Sequence, residues 1–300
     1  DEAHNIEKVA RDYFSYEVSK YAFTKAMNNI YRVSRGSSKK LGSLQILKNF
    51  LKNSIKNDKL LKEYTKRIDE ELILKHNLLY ERTMDYFVKL MDIYCSEGVN
   101  ANIRLRPEQL AKNFKWQKEL KPRQEEFFSA YISYIKELRK IAKEAKDYED
   151  EAGLIREFEK YVDRLDGFFL NFRFILDFSD DNFIFWLSAN PKKNNIKLVA
   201  TPLKIHNELD EVLYANLDHL IFTSATIAIN DDFDYFKKSI GLTEQTYEKA
   251  IHSPFDYDKQ MKVYIPTDIP LPSDKNFLDE IRDFLVGIIK MSKGNTFILF

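Results

Sequence analysis

No glycine or proline interrupts the chain between Lys59 and Ser96, where Leu61, Tyr64, Ile68, Leu72, Leu79, Tyr86 and Leu90 recur at helical spacing. A stripe of that length predicts one long amphipathic helix, ended at Gly98. Glycine is scarce throughout, 8 in 300 residues, so long helices are expected elsewhere too. The same period predicts helices over 5–35, over a segment carrying Leu44, Leu47, Leu51 and Ile55, and over 123–146 and 152–176. Together they imply an antiparallel helical bundle.

After Asp177 the grammar changes. Phe183 to Leu187 and Ile196 to Ala200 flank the polar stretch Asn190-Pro191-Lys192-Lys193-Asn194-Asn195, predicting two strands joined by a turn. Ile103 to Leu105, ahead of Pro107, reads as a short extended segment. Pro202 to Asn216 predicts a short helix, and His219 to Thr226 is an apolar run ending in small polar residues. That pattern predicts a buried parallel strand delivering its carboxyl end to a ligand crevice. The alternation continues through Val263 to Ile265, a helix near 276–291, and the closing run Thr296 to Phe300. The chain opens without methionine and closes inside that apolar run, as a piece of a longer polypeptide would.

With 47 basic and 47 acidic residues the chain carries no formal net charge, so any binding to a polyanion must rest on local clusters. Such clusters occur. Between Tyr31 and Arg67 eleven Lys or Arg face only Asp58 and Glu63, and between Arg104 and Arg123 seven face two, with Phe114 and Trp116 interleaved. Positive charge with an aromatic ring suits the phosphates and bases of single-stranded DNA. The candidate contacts are Lys39, Lys40, Lys48, Lys52, Lys56, Arg104, Arg106, Lys115 and Trp116, with Lys48, Lys52 and Lys56 repeating on one helical face. The competing reading is a solvated lysine face around a bundle whose core holds Trp116. Cys95 excludes an intrachain disulfide and fits a reducing cytoplasm. No apolar run is long enough to span a membrane, and no signal peptide opens the chain. His76, His206, His219 and His252 lack metal-ligand spacing and read as structural.

Asp1-Glu2-Ala3-His4 pairs adjacent acids that can divide the work of nucleotide hydrolysis, and Thr223-Ser224-Ala225-Thr226-Ile227 lies at the strand end expected to face the same crevice. Together they resemble the acid-acid-Ala-His box and the Ser/Thr-Ala-Thr motif of superfamily 2 helicases. Their wide separation by a helical insert is similar to the arch domain of the XPD and DinG branch. The strings Leu198-Val199-Ala200-Thr201-Pro202-Leu203, Ser253-Pro254-Phe255-Asp256-Tyr257-Asp258-Lys259-Gln260 and Gly294-Asn295-Thr296-Phe297-Ile298-Leu299-Phe300 resemble DinG segments in order.

This resemblance implies an α/β fold in which P-loop NTPase (RecA-like) motor pieces are interrupted by a large all-α arch insert. Residues 1–20 would end the first motor domain, 21–176 form the arch, 177–245 return to that domain and 246–300 begin the second. It implies an ATP-dependent DNA helicase moving 5′ to 3′ on single strands in repair or replication, monomeric and cytoplasmic. ATP and Mg²⁺ would be its cofactors and single-stranded DNA its partner, with no membrane. Asp1 would hold Mg²⁺, Glu2 would be the general base, and His4, Ser224, Ala225 and Thr226 would couple the nucleotide to movement. Gly36 to Ser43 is no phosphate loop, because five residues separate its glycines and no Gly-Lys follows. The family's phosphate loop would precede Asp1 and its arginine finger follow Phe300, so this chain alone is not expected to hydrolyse ATP. A 4Fe-4S cluster stays open, since its cysteines would also precede Asp1. Two alternatives remain: a degenerate-motor, DNA-binding portion of a DinG-like protein fused to an amino-terminal 3′-5′ exonuclease, and a non-enzymatic helical scaffold.

Overall fold

The computed structural model describes residues 2–34, 36, 38–95, 100–148, 153–242, 246–263 and 265–299. The chain divides into two compact units, 1–246 and 247–300.

In the first unit a 3-10 turn, Ala3–Asn5, leads into α1 (Ile6–Tyr13), β1 (Tyr16–Ser19) and α2 (Lys20–Ile30). The single helix expected over 5–35 is therefore broken. Ser19 accepts a hydrogen bond from Ala22 N–H and starts α2 afresh, while Tyr16 to Ser19 pairs with the edge of a sheet. Helical spacing was locally satisfied, but strand pairing that buries Val18 won.

A two-stranded hairpin, β2 (Arg32–Val33) and β3 (Lys40–Leu41), precedes α3 (Ser43–Ser54) and α4 (Asp58–Lys66), the latter capped by Asn57. The long helix expected from Lys59 is present, but it passes through a π-helical turn, Arg67–Leu72, before continuing as α5 (Ile73–Tyr94). The expected stop at Gly98 lies outside the described residues. Next come β4 (Ala101–Leu105), α6 (Pro107–Leu110), a second π turn (Trp116–Leu120), α7 (Lys121–Ala145) and α8 (Leu154–Asp177).

β5 (Phe183–Asn190) and β6 (Asn195–Pro202) form the expected hairpin, turned by Asn190, whose side chain accepts from Lys193 N–H, and by Asn194 in the left-handed region. The four-stranded sheet runs β1-β6-β5-β4, antiparallel throughout. The 21–176 segment is accordingly not all-α, because β4 completes this sheet and β2–β3 form a hairpin. Ile103 and Leu105 alternate toward the core and pair opposite Leu187 and Phe185.

The main core joins the sheet to α2, α3, α5, α7 and α8. Phe174 of α8 and Phe178 just beyond its end pack on Phe183 and Phe185 with ring centroids 5.0 and 5.1 Å apart. Deeper in, Phe169 stacks on Tyr131 at 4.3 Å and Phe127 on Phe172 at 4.9 Å, with Phe23, Phe87 and Tyr86 around them. A second, smaller cluster holds Ala3 and Ala10 against Ile205, Leu209, Phe236 and Ile240. It unites the start of the chain with α9 (His206–Val212) and α10 (Asp234–Ile240). Gly241 ends α10 at φ 77°, where an added Cβ would sit 2.7 Å from His206, so the two helices meet there because the position is glycine.

The parallel strand expected over 219–226 belongs to no sheet among the described residues; the segment is irregular and largely exposed. A ladder needs a neighbouring strand, and none of β1, β6, β5 and β4 pairs with this segment. In the second unit α12 (Phe277–Met291) is helical as read and a short helix not read from the sequence, α11 (Tyr257–Gln260), precedes it, but 261–263, 265 and 296–299 form no strand among the described residues. Tyr264 and Phe300 lie outside them.

Candidate functional site

The small apolar cluster decides where the first residues of the chain go. Ala3 is buried in it, and its N–H donates to the carbonyl of Thr223 at 2.9 Å. That one contact aligns two motifs separated by 220 positions, and His4 Nδ1 then lies 2.8 Å from Ser224 Oγ. The same nitrogen is 3.1 Å from Glu2 Oε2. Ser224 Oγ in turn accepts Thr226 N–H at 3.3 Å and lies 3.5 Å from Thr226 Oγ1. Glu2, His4, Ser224 and Thr226 thus form a continuous polar chain.

Glu2 occupies the left-handed region at φ 57°, uncommon for a non-glycine residue. Its side chain is 70% exposed, so the carboxylate faces solvent while touching the imidazole. Asp1 lies outside the described residues, so no coordination geometry is assigned to it. Among the described residues no group of three or more His, Cys, Asp or Glu is arranged to hold a metal. Mg²⁺ carried with a nucleotide takes only one or two carboxylates beside phosphate oxygens, so it needs no such group. Ala225 is exposed between Ser224 and Thr226. Gly36 lies in the turn region of the β2–β3 hairpin, where Ser34 N–H bonds to Lys39 O.

The candidate DNA contacts divide. Lys39, Lys40, Lys52, Lys56, Arg104, Arg106 and Lys115 are exposed. Lys48 is not: its side chain is 9% exposed and ion-paired to Asp69, which Lys40 also reaches at 3.3 Å. The i+4 repeat with Lys52 and Lys56 placed it on a solvated face, but α3 packs against α8 and α4, and the π turn carrying Asp69 supplies a counter-charge that the repeat could not reveal. Burial alone would raise the Asp69 carboxyl, yet hydrogen bonds from Lys48 and Lys40 outweigh it and hold it below the usual range.

Trp116 is likewise corrected. It is 5% exposed and packs on Phe178 with ring centroids 6.1 Å apart, so it offers no platform to a base. Its spacing to Leu120 and Phe127, all three buried, was the available signal that it faces inward. Phe114, two positions earlier, is the exposed ring.

Among the histidines only His76 is buried, with Nδ1 3.0 Å from Tyr134 Oη. Burial holds it down to about 4, against a smaller opposing effect of a hydrogen bond with the Tyr31 backbone. Above pH 6.5 the imidazole is neutral in both folded and unfolded chains. As pH falls toward 4 the unfolded chain takes up the proton first, so stability is lost. The loss over that window is expected to total about 3 kcal/mol from this residue. Urea unfolding at pH 6.5 and 5.0 checks it; a midpoint unchanged over that interval would refute the assignment. Burial also raises the Cys95 thiol, away from reactivity. No helix among the described residues is long and apolar enough to cross a membrane.

No family model matches the chain. It is 28% identical over 117 residues to the "ATP-dependent DNA helicase YoaA" of Haemophilus influenzae, covering 39% of this chain and 18% of that protein. Over 118 residues it is 30% identical to the "3'-5' exonuclease DinG" of Bacillus subtilis, 38% of this chain and 13% of that protein. Over 97 residues it is 29% identical to the "ATP-dependent DNA helicase DinG" of Photobacterium profundum, 31% and 14% of the two. The match therefore spans less than one fifth of each of these relatives. The DinG-type resemblance carried by the motifs is supported by these similarities.

Proposed function

We propose that this chain is part of a DinG-type, ATP-dependent DNA helicase in which residues 1–20 and 177–245 belong to the first motor domain, 21–176 form the arch insert and 246–300 begin the second motor domain. The observation that carries the reading is the contact of His4 with Ser224, which joins the two family motifs across the whole insert. Similarity to proteins named as DNA helicases supports it independently.

In this reading Asp1 holds Mg²⁺ and Glu2 is the general base toward the water that attacks the γ-phosphate. Mg²⁺ would neutralise phosphate charge, which phosphoryl transfer needs more than covalent chemistry. Glu2 accepts the proton of the attacking water, with His4 Nδ1 3.1 Å from the carboxylate. His4 then reports the state of that carboxylate to Ser224 and, through it, to Thr226, so hydrolysis is felt on the segment that follows. Its partner is single-stranded DNA, traversed 5′ to 3′ in repair or replication. The phosphate loop and arginine finger are supplied by the rest of the protein, and the isolated chain does not turn ATP over.

A second reading is favoured by the Bacillus subtilis relative, whose name is that of an exonuclease. There the same residues would form a DNA-holding portion with a silent motor. One experiment separates the two. In the full-length protein His4→Ala and Ser224→Ala are expected to keep ATP turnover within a few-fold while lowering strand separation about 5–100-fold, the usual span of a coupling free energy. Wild-type protein that binds DNA but neither hydrolyses ATP nor separates strands would favour the silent motor, and variants that unwind at the wild-type rate would remove the coupling role.

A further inference from the structure

Phe114 is 72% exposed, whereas Trp116 two residues later is 5% exposed. The second π turn and α7 direct Trp116, Leu120 and Phe127 into the core, and Phe114 at the amino end of that helix is left in water. In the same stretch of chain Arg104, Arg106, Lys112, Lys115, Lys118 and Lys121 are all exposed, and no ion-pair partner is found for them among the described residues. Of the acids in this stretch, Glu119 is held by Lys89, which leaves Glu108. The segment is compact. The Arg106 carbonyl accepts Leu110 N–H at 2.9 Å, Gln117 Nε2–H donates to Leu110 O at 3.0 Å, and Asn113 Oδ1 accepts Trp116 N–H at 3.0 Å. These bonds hold the strand end, α6 and the first turn of the following helix together as one unit bearing the ring and its cations.

Single exposed rings are ordinary on a protein surface; what sets Phe114 apart is the run of unpaired cations along the same stretch of chain. A single strand of nucleic acid can use both, because every base has a π-face that can stack while its phosphates meet the cations. We infer that Phe114 is a base-stacking contact for single-stranded DNA, with Arg106, Lys112, Lys115 and Lys118 engaging the adjoining phosphates. The choice of DNA rests on the helicase reading; the stacking and the charge complementarity do not.

The test compares binding of the full-length protein to a labelled oligothymidylate and to an abasic strand of equal length, over a range of salt. Wild type is expected to prefer the strand with bases by about 5–100-fold, the span of one or two stacking contacts. Phe114→Ala should remove at least fivefold of that preference and Phe114→Trp should restore it. Lys115→Glu with Lys118→Glu should instead weaken both strands alike and reduce the salt slope by roughly one per lysine. Because Phe114 is exposed, these variants are expected to fold, and circular dichroism checks it. A full base preference in Phe114→Ala overturns the inference, as does failure of the wild type to bind either strand. ATP turnover is measured in parallel: DNA-stimulated hydrolysis with an unaltered Phe114→Ala leaves the helicase reading standing alone, and Phe114-dependent binding without any hydrolysis leaves the stacking contact standing alone.

Discussion

Replacing Glu2 by glutamine in the full-length protein is expected to cut ATP turnover by about 10²–10⁴-fold, the usual contribution of a positioned general base. The amide keeps the size of the side chain and can still meet His4 Nδ1, so the left-handed turn at position 2 and the link to Ser224 are retained. What is lost is the ability to accept a proton. ATP affinity should therefore stay within a few-fold, which separates a chemical defect from a binding defect. Glu7→Gln is the control: that carboxylate is committed to Arg11 at 2.9 Å, one helical turn on, and its removal should leave turnover unchanged. Glu2→Gln protein that hydrolyses ATP at half the wild-type rate or faster would end the assignment.

The second large effect concerns the main core of the first unit. Phe169→Ala is expected to destabilise the first unit by about 3–5 kcal/mol, as phenylalanine-to-alanine changes in closed cores do. Phe169 is fully buried and has Phe23, Phe127, Phe128, Tyr131, Phe168 and Phe172 as ring neighbours. Residues from α2, α7 and α8 all meet there, so the cavity cannot close by moving one side chain. Tyr131 is additionally tied to Asp166, which Arg139 also contacts, and is held in place when its stacking partner goes. Leu170, the exposed neighbour, serves as the comparison, and Leu170→Ala should change stability by no more than about 0.5 kcal/mol. Denaturant unfolding of both variants measures the difference; a Phe169→Ala loss below about 1 kcal/mol would mean that the aromatic cluster is not the closed core described.

Where the sequence pattern was dense and the element could bury its own stripe, the reading came close to the structure. The helix expected over 123–146 is Lys121–Ala145, that over 152–176 is Leu154–Asp177, and the hairpin around Asn190 to Asn195 has its turn where the polar run lies. Errors arose where a distant partner overruled local spacing. Tyr16 to Ser19 matched a helical period yet became a strand, because β6 offered it an edge 180 residues downstream. Lys48 matched a solvated face yet is buried on Asp69, whose position depends on a π turn. The run 219–226 was apolar enough for a buried strand, but pairing requires neighbours and none of the four strands adopts it.

The two strings proposed for the site stand in the sequence and carry the family resemblance, an acid-acid-Ala-His string and a Ser-Ala-Thr string. Their meeting was not legible there. Helix periods, caps and turns are determined within a few residues of chain, so the sequence alone determined that long aromatic-rich helices precede a hairpin. Bringing His4 to Ser224, sending Trp116 inward and leaving Phe114 outside depend on which apolar surfaces close against each other over 100 to 200 positions. Those choices were made by tertiary packing, because burial free energy sums over contacts whose partners no local window contains.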